Sequence, residues 1–95
     1  MADFRYRIFE TRQFLADLEN LDSSVQAPVR KKLESYVYPQ LRQESHIGKN
    51  IGKLKNWVPE TWRYRIGDWR FFYEIHETER MIDLTSVNHR REAYR

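Results

Sequence analysis

Apolar and polar positions alternate with a period of two at the start of the chain. Phe4, Tyr6 and Ile8 interleave with Arg5, Arg7 and Phe9, which predicts an opening strand. The period then lengthens. Thr11 is placed to cap a helix whose apolar stripe is Phe14, Leu15, Leu18 and Leu21. Asp22-Ser23-Ser24 breaks that helix and offers the N-cap of a second, in which Val25, Val29, Leu33, Tyr36 and Val37 recur at helical spacing. Pro28 fits its first turn, where an N–H has no intrahelical partner. Pro39 is expected to end it, because the residue before a proline is pushed out of the α region. From Gln43 to Glu60 the periodicity dissolves into a long connection with room for a turn of helix or a short strand. Strand signals return at Thr61 to Ile66, at Trp69 to Ile75 and at Met81 to Val87, separated by Gly67-Asp68 and by a turn at His76 to Arg80. The order β-α-α-β-β-β predicts an α+β fold, a small antiparallel sheet on an N-terminal helix hairpin, with residues 1–95 as one domain.

The middle hairpin fixes a register. With Gly67-Asp68 as a two-residue loop, glycine first, a type II′ turn is expected. Ile66 then faces Trp69, Tyr64 faces Phe71 and Trp62 faces Tyr73, and these six side chains share one apolar face that must pack on the helices. The opposite face carries Arg65 across from Arg70 and Arg63 across from Phe72. Two guanidinium groups facing one another repel, an arrangement that structure alone does not favour. A polyanion on that face turns repulsion into attraction, because arginine forks match phosphate oxygens two bonds at a time. A single surface arginine needs no explanation. Three on one face, with Arg90 and Arg91 following the next strand, favour a phosphate-binding surface. Phe72 is the one large apolar side chain among them, placed either to stack a base or to lie beneath a covering loop.

Charge and composition narrow the partners. The net charge is +3, and the surplus lies in the second half: ten Lys/Arg against seven Asp/Glu in residues 48–95, seven against seven before. At 40% hydrophobic and 15% aromatic the chain can fill a core despite its 33% charge. No apolar run is long enough to span a membrane or to serve as a signal peptide, so the cytoplasm is the expected location. The absence of cysteine removes disulfides, thiolate metal sites and cysteine nucleophiles.

Cleaving RNA without a metal needs a base for the 2′-hydroxyl, charge stabilisation for the phosphorane, and a proton for the leaving oxygen. Arginines supply the second but stay protonated. The groups available for proton transfer near the basic face are His89, Tyr94, Glu92, Lys53 and Lys55. Of these, His89 titrates nearest neutrality, although a lone histidine at a strand end is more often a plain surface group. Other site types fail. The segment Gly48 to Lys53 falls short of a P-loop, with three residues between its glycines and Leu54 in the magnesium-binding position. His46, His76 and His89 lack metal-ligand spacing, so neither metal nor cofactor is expected.

Lys53-Leu54-Lys55, the run from Trp62 to Ile75 and the terminal Val87-Asn88-His89-Arg90-Arg91-Glu92-Ala93-Tyr94 together resemble the RelE/ParE toxin superfamily of type II toxin–antitoxin systems, over essentially the whole chain. The resemblance implies a microbial RNase-like fold. In its RelE branch it implies a ribosome-dependent mRNA endonuclease, or mRNA interferase, that inhibits translation by cutting mRNA in the A site. It also implies a cognate antitoxin that masks the toxin, and operator DNA bound only through that complex. The resemblance implies an active site at Arg63 and Arg65, a phosphate-stabilising Arg70, a tail arginine at Arg90 or Arg91, and Tyr94. Well-known members carry lysines where Arg63 and Arg65 stand, so proton abstraction falls to His89 or to the ribosome. RNA contacts are expected from Lys53, Lys55 and Phe72. The alternatives are a ParE-like DNA gyrase inhibitor and a catalytically weak RNA- or antitoxin-binding module.

Overall fold

In the computed structural model, residues 5–89 are described. Strand β1 (Arg7–Glu10) leads into helix α1 (Arg12–Glu19), then α2 (Ser23–Lys32), a π-helical turn (Leu33–Val37) and α3 (Tyr38–Gln43). Four strands follow: β2 (Ile51–Lys53), β3 (Trp62–Ile66), β4 (Trp69–His76) and β5 (Met81–His89). The sheet order is β1-β5-β4-β3-β2. The α+β architecture is the one expected, and β2 fills the short strand allowed in the long connection. One pairing departs from the antiparallel expectation: β1 runs parallel to β5, with Ile8 beside Ile82 and Glu10 beside Leu84. The helices intervene between these two strands, and a crossover of that length permits parallel pairing where a hairpin does not.

Thr11 caps α1 as expected, its hydroxyl accepting from the Phe14 amide at 3.2 Å while donating to the Leu84 carbonyl at 2.7 Å. Asp17, one turn further, accepts from the Val87 amide at 2.9 Å and ties α1 to β5. The Asp22 position does begin α2, without a side-chain capping bond.

Pro39 does not end the helix, and here the sequence expectation is corrected. Tyr38 stays in the helical region (φ −66°, ψ −44°), and its amide donates to the Leu33 carbonyl five residues back. This wide turn relieves the clash between a proline ring and the preceding carbonyls. A proline in an ordinary helix interior costs about 3 kcal/mol. Continuing the rod buries Tyr38 and Leu41, each worth roughly 1.5–3 kcal/mol. Burial wins, and the helix runs on. The inserted turn also shifts the apolar stripe, so Val37, Tyr38 and Leu41 face the core while Tyr36 is left 61% exposed.

The core is a single cluster between the helices and one sheet face. Phe14, Leu18, Val29, Leu33, Val37 and Leu41 meet Tyr64, Phe71, Tyr73, Ile82, Leu84 and Val87. Phe14 and Phe71 lie with ring centroids 6.4 Å apart. Tyr73 buries its hydroxyl and satisfies it on the Ser45 carbonyl at 2.8 Å. Glu10 accepts from both Arg30 and Tyr38, joining β1 to the helical rod.

Candidate nucleic-acid interface

The expected hairpin register is present at every position. Ile66 pairs with Trp69, Arg65 with Arg70, Tyr64 with Phe71, Arg63 with Phe72 and Trp62 with Tyr73. Gly67 takes a positive φ of 58° while Asp68 does not, which suits glycine at the first position of a type II′ turn. The apolar side chains therefore turn to the helices, and the arginines occupy the face that no helix covers.

Strand β5 extends this open face. Arg70 faces Asn88, and Phe72 faces Ser86. Two rows result, Arg65–Arg70–Asn88 nearest the turn and Arg63–Phe72–Ser86 beside it. Further along β4, Glu74 faces Asp83, and His76 lies 3.1 Å from Asp83 and 3.7 Å from Glu74. The face is thus basic at the turn end and acidic at the other. Four residues of strand, about 13 Å, separate Arg70 from Glu74 along the backbone.

Arg63 lies across its neighbour β2, where it pairs with Gly52. A Cβ at Gly52 would stand 2.9 Å from the Arg63 Nη2. The glycine supplies the groove in which the guanidinium lies, and Arg63 Nε is buried there with no hydrogen-bond partner among the described residues. Arg65 is exposed, whereas Arg70 is only 9% exposed.

The other expected site residues fall elsewhere. Phe72 is 8% exposed, because Trp57 stacks on it with centroids 5.9 Å apart and planes at 24°. The expectation that Phe72 itself receives a base is corrected: the loop between β2 and β3 closes over it. Lys53 shares the side of Trp62 by register, and its ammonium sits 2.9 Å from Glu60. Lys55 is exposed in the same loop. His89 faces Trp69 across the β4–β5 ladder, ring edge to ring face at 4.8 Å, so it stands on the helix side of the sheet. The expectation that His89 joins the arginines is corrected too. The reason is a register shift at Phe72/Tyr73, where Thr85 is the extra residue on β5. A bulge reverses the alternation beyond it, turning Val87 and His89 to the core side and Ser86 and Asn88 to the arginines. Arg90, Arg91 and Tyr94 lie outside the described residues.

Three features of this face escaped sequence reasoning: the Gly52 groove, Trp57, and the Ser86–Asn88 border. A glycine within a strand was the available signal for the first. Trp57 sits in a loop without periodicity and gave none.

The fold is similar to that of several small toxins of known structure. It is similar to the toxin–antitoxin complex RelBE2 of Mycobacterium tuberculosis, at a TM-score of 0.70 and 22% identity, covering 90% of this chain and 98% of that one. It is similar to YoeB of Staphylococcus aureus (TM-score 0.63, 20% identity, 90% and 97% covered) and to the isolated RelE toxin of Escherichia coli (0.59, 20%, 88% and 83%). Among curated proteins, no sequence is similar enough to be matched. A family model settles the membership: residues 8–94 match the ParE toxin of type II toxin–antitoxin systems. The chain belongs to that family, within the RelE/ParE toxin superfamily.

Proposed function

We propose that this toxin is a ribosome-dependent mRNA endonuclease that inhibits translation. The observation that carries the reading is the facing pair Arg65 and Arg70, with Arg63 in the next row, on the one sheet face the helices leave open. Guanidinium groups on a rigid ladder are held in place for phosphate oxygens, and they stabilise charge that develops on a phosphorane without reorganising. They do not move protons. The general acid and base therefore come from the chain beyond β5, where Tyr94 is the candidate, or from the ribosome itself, while Arg90 or Arg91 adds to the charge stabilisation. Lys55, exposed in the loop after β2, is the remaining lysine for RNA contact, while Lys53 is engaged by Glu60.

A cognate antitoxin is the expected protein partner, and the similarity to the RelBE2 toxin–antitoxin complex supports it. Operator DNA would be reached only through that complex. The place of action is the cytoplasm, where ribosomes are translating.

The family description favours a second reading, a ParE-like inhibitor of DNA gyrase. The two separate in one pair of assays. The endonuclease reading expects cleavage of mRNA on translating ribosomes and none of naked mRNA, with R65A/R70A abolishing it. Inhibition of gyrase supercoiling without mRNA cleavage would establish the second reading instead.

A further inference from the structure

Phe72 lies in the middle of the basic face yet is nearly covered, and what covers it is a ring that is itself half open. Trp57 is 53% exposed while stacked on Phe72. A ring with one face on a neighbour and half its surface in solvent presents its second face outward. The loop that carries it is braced. The Leu54 amide donates to the Thr61 carbonyl at 3.0 Å, closing the base of the loop. The Thr61 hydroxyl donates to the Pro59 carbonyl at 2.9 Å, and Lys53 pairs with Glu60 at 2.9 Å. Asn56, just before the tryptophan, takes the left-handed conformation at φ 63°, which asparagine tolerates better than most residues. The ring is therefore held in position before any ligand arrives.

The charge around it selects the ligand. Phe72 faces Arg63 across β3–β4, with Cβ atoms of such partners about 4.5–5.5 Å apart. A ring stacked on Phe72 is thus within one side chain of the Arg63 guanidinium. An outward aromatic face beside fixed phosphate-binding groups is the combination by which proteins hold single-stranded nucleic acid, one base per ring and phosphates on the cations. A protein partner meets such a face with separate carboxylates and side-chain rings, whereas a nucleic acid repeats a planar base and a phosphate along one backbone, which matches a ring set beside arginines.

We propose that Trp57 is a nucleobase-stacking platform: one base of single-stranded RNA lies on its open face while Arg63 and Arg65 hold the flanking phosphates. This rests on the RNA-directed reading above and names a subsite within it. Phe72 supports the platform from below and touches no RNA.

The test is binding of an oligoadenylate RNA of about ten nucleotides, within the ~4–16 that a small single-strand surface contacts. A parallel titration uses an abasic strand of the same length. The wild type should bind the intact strand more tightly than the abasic one, with quenching of tryptophan fluorescence. W57A should weaken the intact strand about 5- to 150-fold, the value of one stacked base, and leave the abasic strand unchanged. W57F should restore most of the affinity without the quench, whereas W57L, which still covers Phe72 but offers no planar face, should not, a split that a merely structural cap on Phe72 would not produce. Equal binding of both strands by wild type and W57A, with R63A still weakening both, would overturn the platform and leave the phosphate-binding face standing. Failure of the wild type to bind either strand would overturn the platform, while the RNA-directed reading would still stand or fall on mRNA cleavage by translating ribosomes.

Discussion

Arg65 and Arg70 face each other across the β3–β4 ladder, one exposed and the other almost buried. Like charges directly opposed destabilise a ladder by roughly 0.2–1 kcal/mol. A site that binds phosphate gains from the same geometry, so stability and function pull in opposite directions here. R65Q should therefore stabilise the fold by a few tenths of a kcal/mol at about 0.01 M salt, where screening is weak, and the gain should fade at about 1 M. The same substitution should weaken RNA binding. Urea titrations at the two salt concentrations check the first half. A loss of stability that salt does not alter would refute it.

Gly52 and Arg63 form the second coupling. A methyl group at residue 52 would meet the far end of a flexible side chain, not backbone, so the guanidinium can swing away cheaply. Alanine also recovers about 0.5–1 kcal/mol of the conformational cost of a strand glycine. G52A should leave the urea midpoint within about 1 kcal/mol of wild type while reducing mRNA cleavage towards the level of R63A. Full activity in G52A would show that the groove does not position Arg63.

How far the sequence carried these inferences depended on what each feature requires. The β3–β4 register was readable because a two-residue loop with glycine first permits one pairing, and Trp62, Tyr64, Ile66, Trp69, Phe71 and Tyr73 must share a side. The helical stripe was readable at Val29, Leu33 and Val37 but failed at Tyr36 and at the expected end before Pro39, because the π turn adds a residue that no local signal announces. Thr85 has the same effect on β5, where a strand rich in Thr, Ser and Asn carries too little apolar alternation to reveal a bulge. Trp57 was invisible for a different reason. Loop side chains follow no period, and its stacking partner is fifteen positions away.

Tyr38 and Tyr73 give the fold an alkaline limit. Burial raises the Tyr38 phenol well above its ordinary range, and the hydrogen bond to Glu10 adds to the effect. Burial likewise raises Tyr73, with Tyr64 contributing. The unfolded chain releases these protons near the usual phenol value of about 10, while the folded chain keeps them. Their stabilising contribution is whole below pH 10 and is lost as pH climbs towards the folded values. Stability should fall by up to about 1.4 kcal/mol per pH unit per phenol above that point. Y38F should flatten the slope by one proton's worth and also lower stability at neutral pH, because Glu10 loses a donor. Unfolding midpoints measured from pH 8 to beyond pH 10 would show both effects, and an unchanged slope would contradict them.

His89 is the last point at which sequence and geometry part. On chemistry alone it is the best proton-transfer group in the second half of the chain, since an imidazole can both give and take a proton. Had β5 alternated without interruption, His89 would stand on the arginine face. The bulge at Thr85 places it beside Trp69 on the opposite face, out of reach of the 2′-hydroxyl in the RNA site proposed at Arg63, Arg65 and Arg70. H89F keeps an aromatic ring against Trp69 and removes the titration. It should lower cleavage less than about threefold, well short of the ~100-fold or more that general acid–base catalysis supplies, and it should leave the pH–rate profile between pH 5.5 and 8 unchanged. Y94F should be the damaging substitution. If H89F instead abolishes a limb of the profile while the protein stays folded, His89 is the base, and the end of β5 must reach around the sheet edge to deliver it.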